Sequence, residues 1–139
     1  METSKKTSKK MFWTGRIISI LLILFLLLDA IMKIVKATPA VEGSIALGYP
    51  ESAVVPMGII LLICTIFYIV PRTSILGAIL LTGYLGGATT THFRVGEPVW
   101  FAVIFGILVW LALYFCDERL RTLIPFRKKD TDRNDNTVE

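Results

Sequence analysis

Apolar and polar positions along this chain separate into long blocks. Four blocks are apolar and nearly free of charge, and they cover residues 12–35, 52–70, 73–93 and 98–116. At about 1.5 Å per helical residue, each block is about long enough to cross a hydrocarbon core of roughly 30 Å. The pattern predicts an all-α membrane protein in which four transmembrane helices form an up-down-up-down bundle.

The composition agrees with a single membrane domain. Of 139 residues, 54% are hydrophobic, and the mean hydropathy of +0.66 is high for a soluble domain of this size. The polar residues outside the apolar blocks are too few to form a second domain. We expect the transmembrane domain over residues 12–126, a disordered basic tail over residues 1–11 and a disordered polar tail over residues 127–139.

Lysine and arginine residues are divided unevenly between the two ends of the predicted helices. Twelve lie near the two termini or in the turn at Arg72, and three lie at the opposite end, at Lys33, Lys36 and Arg94. Because positive residues concentrate on the cytoplasmic side of a membrane, we expect both termini to be cytoplasmic. The basic segments lack interleaved aromatic residues, so the net charge of +4 predicts contact with the lipid bilayer and no nucleic-acid partner.

Turn-forming residues mark the expected ends of the helices. Thr38 is expected to cap a short helix in the longest connection, and Gly48 to end it. Thr73 is expected to cap the third apolar helix, Gly96 to end it, and Pro98 to open the fourth. The very short turn at Arg72 and Thr73 predicts that the second and third apolar helices are antiparallel neighbours.

Small residues form a stripe along one face of the third apolar helix. At about 100° per residue, Gly83, Gly86, Gly87 and Thr90 share that face, and Gly83 and Gly87 form a GxxxG pattern. Such a stripe favours the close approach of another helix backbone. The alternative is that the glycines leave room for a flat ligand against the helix backbone.

Ionisable residues gather near the end of the predicted bundle that is opposite the termini. Asp29 and Lys33 are four residues apart on the first helix, in the order that favours an ion pair. Ionisable groups at membrane depth usually have a function. We therefore hypothesise a polar pocket formed by Asp29, Lys33, His92, Arg94 and Glu97. The alternative is that these side chains only face the aqueous rim.

One histidine and two cysteines restrict the chemistry open to the chain. A bis-histidine haem needs two histidines, and an iron–sulfur cluster or structural zinc site needs about four Cys or His ligands. Cys64 and Cys116 are expected at different depths, which argues against a disulfide. No Walker motif, no GxGxxG after a strand and no Ser/His/Asp set is present. We expect no metal, no cofactor bound by the chain itself and no independent catalytic activity.

Several motifs resemble those of the DoxX-like family of small bacterial integral membrane proteins. The matching segments are residues 47–50 (LGYP), 69–73 (IVPRT), 76–88 (LGAILLTGYLGGA) and 91–98 (THFRVGEP). The resemblance implies a four-helix bundle in the bacterial inner membrane. It also carries over Gly83, Gly86, Gly87, Thr91, His92 and Arg94 as matching positions without assigned roles. Some relatives have a carboxylate in the second helix, where this chain has Ile60, Leu61 and Leu62.

The family is named for a subunit of a thiosulfate:quinone oxidoreductase, so the resemblance implies a link to quinones. Our first hypothesis is an accessory membrane subunit of quinone-linked redox or stress metabolism, with quinone as its ligand. A second hypothesis is a small-solute transporter or permeation unit that uses Asp29, Lys33 and His92. A third is a structural membrane partner without its own chemistry. A homodimer or a membrane redox partner agrees with the first and third hypotheses.

Overall fold

The computed structural model describes residues 9–123, and about 85% of them are helical. No strand is present in this range. The helices, in chain order, are α1 (Lys9–Ile34), α2 (Thr38–Ala46), α3 (Glu51–Ile69), α4 (Ser74–Arg94), α5 (Trp100–Cys116) and α6 (Glu118–Leu123). The four apolar blocks of the sequence correspond to α1, α3, α4 and α5.

Two helix starts differ from the sequence prediction. Helix α1 begins at Lys9, so the last three residues of the predicted N-terminal tail are helical. Helix α5 begins at Trp100 and not at Pro98. The Glu97 N–H donates to the His92 carbonyl at 2.9 Å, which extends the turn that ends α4 as far as Glu97. Helix α5 therefore begins two residues later than predicted. The predicted tail over residues 127–139 lies outside the described residues.

The predicted caps are partly correct. Gly48 and Gly96 follow α2 and α4 with φ angles of +90° and +76°, the left-handed conformation that glycine adopts without strain. Thr73 is the N-cap residue of α4, but its hydroxyl donates to the Phe67 carbonyl at 2.9 Å and accepts no backbone N–H of α4. Thr38 lies inside α2, whose N-cap is Ala37.

Helix α6 was not predicted, although a sequence signal for it exists. Asp117 ends α5, and its Oδ1 accepts the Arg119 backbone N–H at 2.8 Å, which is the usual N-cap arrangement. Arg119 also donates to the Pro71 carbonyl at 2.9 Å, and Leu120 is buried. These contacts fix α6 across the ends of the longer helices.

The long helices contact one another in a closed ring. Helix α1 packs against α3 and α5, and α4 packs against the same two helices. The core between them consists mainly of leucine and smaller side chains, among them Leu22, Leu26, Leu61, Leu81 and Val109. Buried polar groups are satisfied: the Tyr68 hydroxyl donates to the Val109 carbonyl at 2.8 Å, and Thr65 donates to the Leu61 carbonyl at 2.7 Å.

Three glycines allow helix backbones to approach closely. A Cβ on Gly58 would lie 2.9 Å from the Ala30 carbonyl oxygen, and one on Gly77 would collide with the backbone of Tyr68. Gly15 brings α1 equally close to Phe115 of α5. Close contact between α1 and α3, α3 and α4, and α1 and α5 therefore depends on these positions.

Large apolar side chains are exposed on all four long helices. They include Leu21 and Leu24 of α1, Ile60 and Ile63 of α3, Ile79 of α4, and Ile104 and Ile107 of α5. Among the described helices, α1 and α3 are long and apolar enough to span a membrane, and only 17% and 33% of their most apolar windows are buried. Helix α5 is apolar but has 17 residues, and α4 carries polar residues, so the assignment of these two helices as membrane spans stays a prediction.

Candidate functional site

A cavity of about 750 Å³ lies where α2 meets the ends of the long helices. We call this region the α2 end of the protein. All five helices from α1 to α5 contribute residues to the cavity wall. Its volume is within the usual range for small-molecule sites, about 300–1,000 Å³.

Glycines of α4 help to create this space. Gly83 and Gly87 line the cavity, and a Cβ on either would meet no atom within 4 Å. Gly77, one turn and a half earlier on the same helix, packs directly on α3. Helix α4 is therefore tightly held near its start and lines open space toward its end.

The four positions of the predicted glycine stripe have different surroundings. Gly83 and Gly87 face the cavity, whereas Gly86 and Thr90 do not line it. Gly86 is also open, with no atom within 4 Å of a Cβ position, and the Thr90 hydroxyl donates to the Gly86 carbonyl at 3.0 Å. Within residues 9–123, no atom of another helix lies within 4 Å of a Cβ position at Gly83, Gly86 or Gly87, so the predicted close approach of a helix backbone to this stripe stays a prediction.

Four of the five residues proposed for the polar pocket line the cavity. Asp29 accepts a hydrogen bond from the Lys33 ammonium group, and His92 and Glu97 lie on the same wall. Arg94 is not a lining residue, because its guanidinium extends to the Leu47 carbonyl, 3.1 Å away. Its contact joins the end of α2 to the end of α4.

A network of hydroxyl groups supports the α2 side of the cavity. The Tyr49 hydroxyl lies 2.8 Å from the Thr91 Oγ1, which in turn donates to the Gly87 carbonyl at 2.9 Å. The buried Ser44 hydroxyl donates to the Ala40 carbonyl at 2.8 Å. Tyr84 also lines the cavity, and its hydroxyl makes no hydrogen bond within residues 9–123. Sequence reasoning missed Tyr49, Ser44 and Tyr84 as site residues.

The His92 imidazole is held in a fixed orientation. Its Nδ1 lies 2.7 Å from the Ala88 carbonyl oxygen, one helical turn earlier. A backbone bond of this kind restricts rotation of the ring and leaves the Nε2 atom available. His92 is therefore a positioned polar group on the cavity wall.

Three phenylalanines form the aromatic part of the wall. The rings of Phe101 and Phe105 lie 4.7 Å apart between centroids, and Phe25 of α1 contacts both. Phe101 and Phe105 are four residues apart on α5, so a common face could have been read from the sequence. The cavity thus joins a polar wall to an aromatic wall, as amphipathic ring compounds require.

Residues 9–123 combine a helical structure, exposed apolar surface and a cavity with polar and aromatic lining, which defines a class: helical membrane proteins with a cavity between their helices. The sequence model of the DoxX-like family matches residues 17–115, and the chain belongs to the DoxX-like family. The matched range contains every residue that lines the cavity. Comparison with curated proteins and with solved structures gave no match.

Proposed function

We propose that this DoxX-like protein is a multi-pass protein of the bacterial inner membrane, with four helices in an up-down-up-down bundle and both termini cytoplasmic. Two observations support this. Exposed apolar side chains occur on all four long helices, so lipid can cover the whole circumference. The twelve-to-three division of Lys and Arg supports an orientation with the α2 end on the outer side.

We further propose that the protein binds a quinone-type ring compound in its cavity and acts as an accessory membrane subunit without catalytic activity of its own. The observation that carries this proposal is that aromatic and polar side chains line the same cavity. Phe25, Phe101 and Phe105 provide ring contacts, and His92 with the Asp29–Lys33 pair provides polar contacts. Quinones have the matching structure, an apolar ring with oxygen atoms at its edge.

The second hypothesis, a small-solute transporter or permeation unit, has less support than ligand binding, because the core is closed on one side of the cavity. On the side of the cavity nearer the termini, Leu22, Leu81 and Val109 are buried together. Each of these side chains is at most 3% exposed, so the core between the helices is closed on the side of the cavity nearer the termini. A pocket with one closed end favours binding over transport.

The experiment is a binding assay on the full chain in lipid nanodiscs, with a tritiated short-chain quinone and scintillation proximity detection. Unlabelled decylubiquinone should displace the signal, and empty nanodiscs give the background. Asp29→Asn should weaken binding roughly tenfold, because it removes the charge that positions Lys33 on the cavity wall.

The matched control is Glu51→Gln, which also neutralises a carboxylate paired with lysine. Glu51 lies 3.7 Å from Lys36 and does not line the cavity, so this variant should bind as the wild type does. Saturable binding that is weakened only in the Asp29 variant supports the proposal. Absence of saturable binding to the wild type contradicts it.

A further inference from the structure

We infer that the cavity selects ligands that donate hydrogen bonds, so that it prefers the hydroxyl-bearing, reduced form of a ring compound to the carbonyl-bearing, oxidised form. This inference rests on the proposed function and specifies its ligand. It comes from the donors and acceptors that the cavity wall still has available after its internal hydrogen bonds are made.

The hydroxyl protons of the α2 side are already used within the protein. Thr91 donates its single hydroxyl proton to the Gly87 carbonyl, so Tyr49 must be the donor in the Tyr49–Thr91 hydrogen bond. Ser44 donates its proton to the Ala40 carbonyl. These three hydroxyl oxygens can therefore only accept a further hydrogen bond.

His92 is also an acceptor toward the cavity when its imidazole is neutral. A carbonyl oxygen can only accept, so the contact between Nδ1 and the Ala88 carbonyl places the proton on Nδ1. The neutral ring then has a lone pair on Nε2. A ligand hydroxyl could donate a hydrogen bond to Nε2. A ligand carbonyl could not, and its oxygen lone pair would be repelled by the lone pair of Nε2.

The carboxylates extend the same excess of acceptors. Asp29 and Glu97 both line the cavity, and Glu97 forms no salt bridge within residues 9–123. The donors left on the wall belong to Lys33, which uses one of its three ammonium protons on Asp29, and to the Tyr84 hydroxyl. Because acceptors outnumber donors, a bound ligand leaves fewer polar groups unsatisfied if it contributes the protons itself.

The test compares two probes of which only one has a hydrogen-bond donor. Both 4-octylphenol and 4-octylanisole have the same ring and tail, but methylation removes the only donor of the anisole. In competition with the tritiated quinone on wild-type nanodiscs, the phenol should bind roughly tenfold more tightly, about one hydrogen bond. Decylubiquinol and decylubiquinone, compared without oxygen, should show the same order.

Variants assign the preference to His92. His92→Ala should lower the phenol-to-anisole ratio because it removes one of these acceptors, whereas Phe93→Ala should retain the ratio, because Phe93 is exposed and does not line the cavity. A change in this ratio cannot result from a general loss of folding, which would weaken both probes equally.

The outcomes separate this inference from the proposed function. Equal affinity of the two probes for the wild type would overturn the donor preference and leave the cavity as a binding site. Failure of the quinone and of both probes to bind would overturn both. Tighter binding of the anisole than of the phenol would show that the wall supplies donors, which contradicts the hydrogen-bond count.

Discussion

Two adjacent glycines of α4 offer a sharp test of where a ligand binds. Gly86 and Gly87 are both exposed within a helix, and a Cβ on either would meet no atom within 4 Å. Only Gly87 lines the cavity. Leucine at either position should therefore be accommodated, and each should gain up to about 0.8 kcal/mol of helix propensity over glycine.

The two leucines should have different effects on binding. At position 87 the side chain enters the cavity and displaces about five non-hydrogen atoms of a bound ring, which at about 0.3 kcal/mol per atom costs about 1.5 kcal/mol, or roughly tenfold in affinity. At position 86 the side chain lies outside the cavity and should leave affinity within about twofold, since no ligand contact is removed.

Both variants should be measured in nanodiscs with the tritiated quinone, and thermal unfolding followed by circular dichroism should show that both are folded. Equal quinone affinity in Gly87→Leu and Gly86→Leu would refute the assignment of the cavity as the binding site. A loss confined to Gly86→Leu would place the ligand outside the cavity, on the part of the α4 surface where Gly86 lies.

Three further predictions concern stability, pH and topology. Gly58→Leu should destabilise the protein by about 1–3 kcal/mol in detergent unfolding, because its side chain would overlap Ala30; unchanged stability would contradict the close packing of α1 and α3. Partial burial of the Asp117 carboxyl opposes its ionisation, but hydrogen bonds and the charge of Arg119 outweigh burial and lower its pKa. Ionised Asp117 therefore stabilises α6 at any pH above the pKa that this carboxyl has in the unfolded chain. The stabilisation is lost as the pH falls through its lower pKa in the folded protein. The protection of α6 amides against exchange, relative to their intrinsic rates at each pH, should therefore fall in acid in the wild type and depend less on pH in Asp117→Asn; identical protection profiles would contradict the capping role. In a background without Cys64 and Cys116, Lys36→Cys should react with an impermeant maleimide in intact cells and Arg72→Cys only after lysis, and the reverse pattern would invert the topology.

The sequence determined which segments are helical and where most of them end. Long apolar blocks predict α1, α3, α4 and α5 because backbone groups in lipid must be satisfied within each helix. Gly48 and Gly96 could be recognised as helix ends because the chain needs positive φ there. The spacing of Asp29 and Lys33 likewise predicted their ion pair, since residues four apart on a helix are neighbours.

Tertiary structure alone decided what each helix face meets. Gly58 and Gly77 touch neighbouring backbones while Gly83 and Gly87 line a cavity, although all four are glycines within apolar helices. Periodicity along one helix gives the direction of a side chain but not the distance to the next helix. For the same reason, contacts between distant segments, such as Tyr49 with Thr91, could not be read from spacing along the chain.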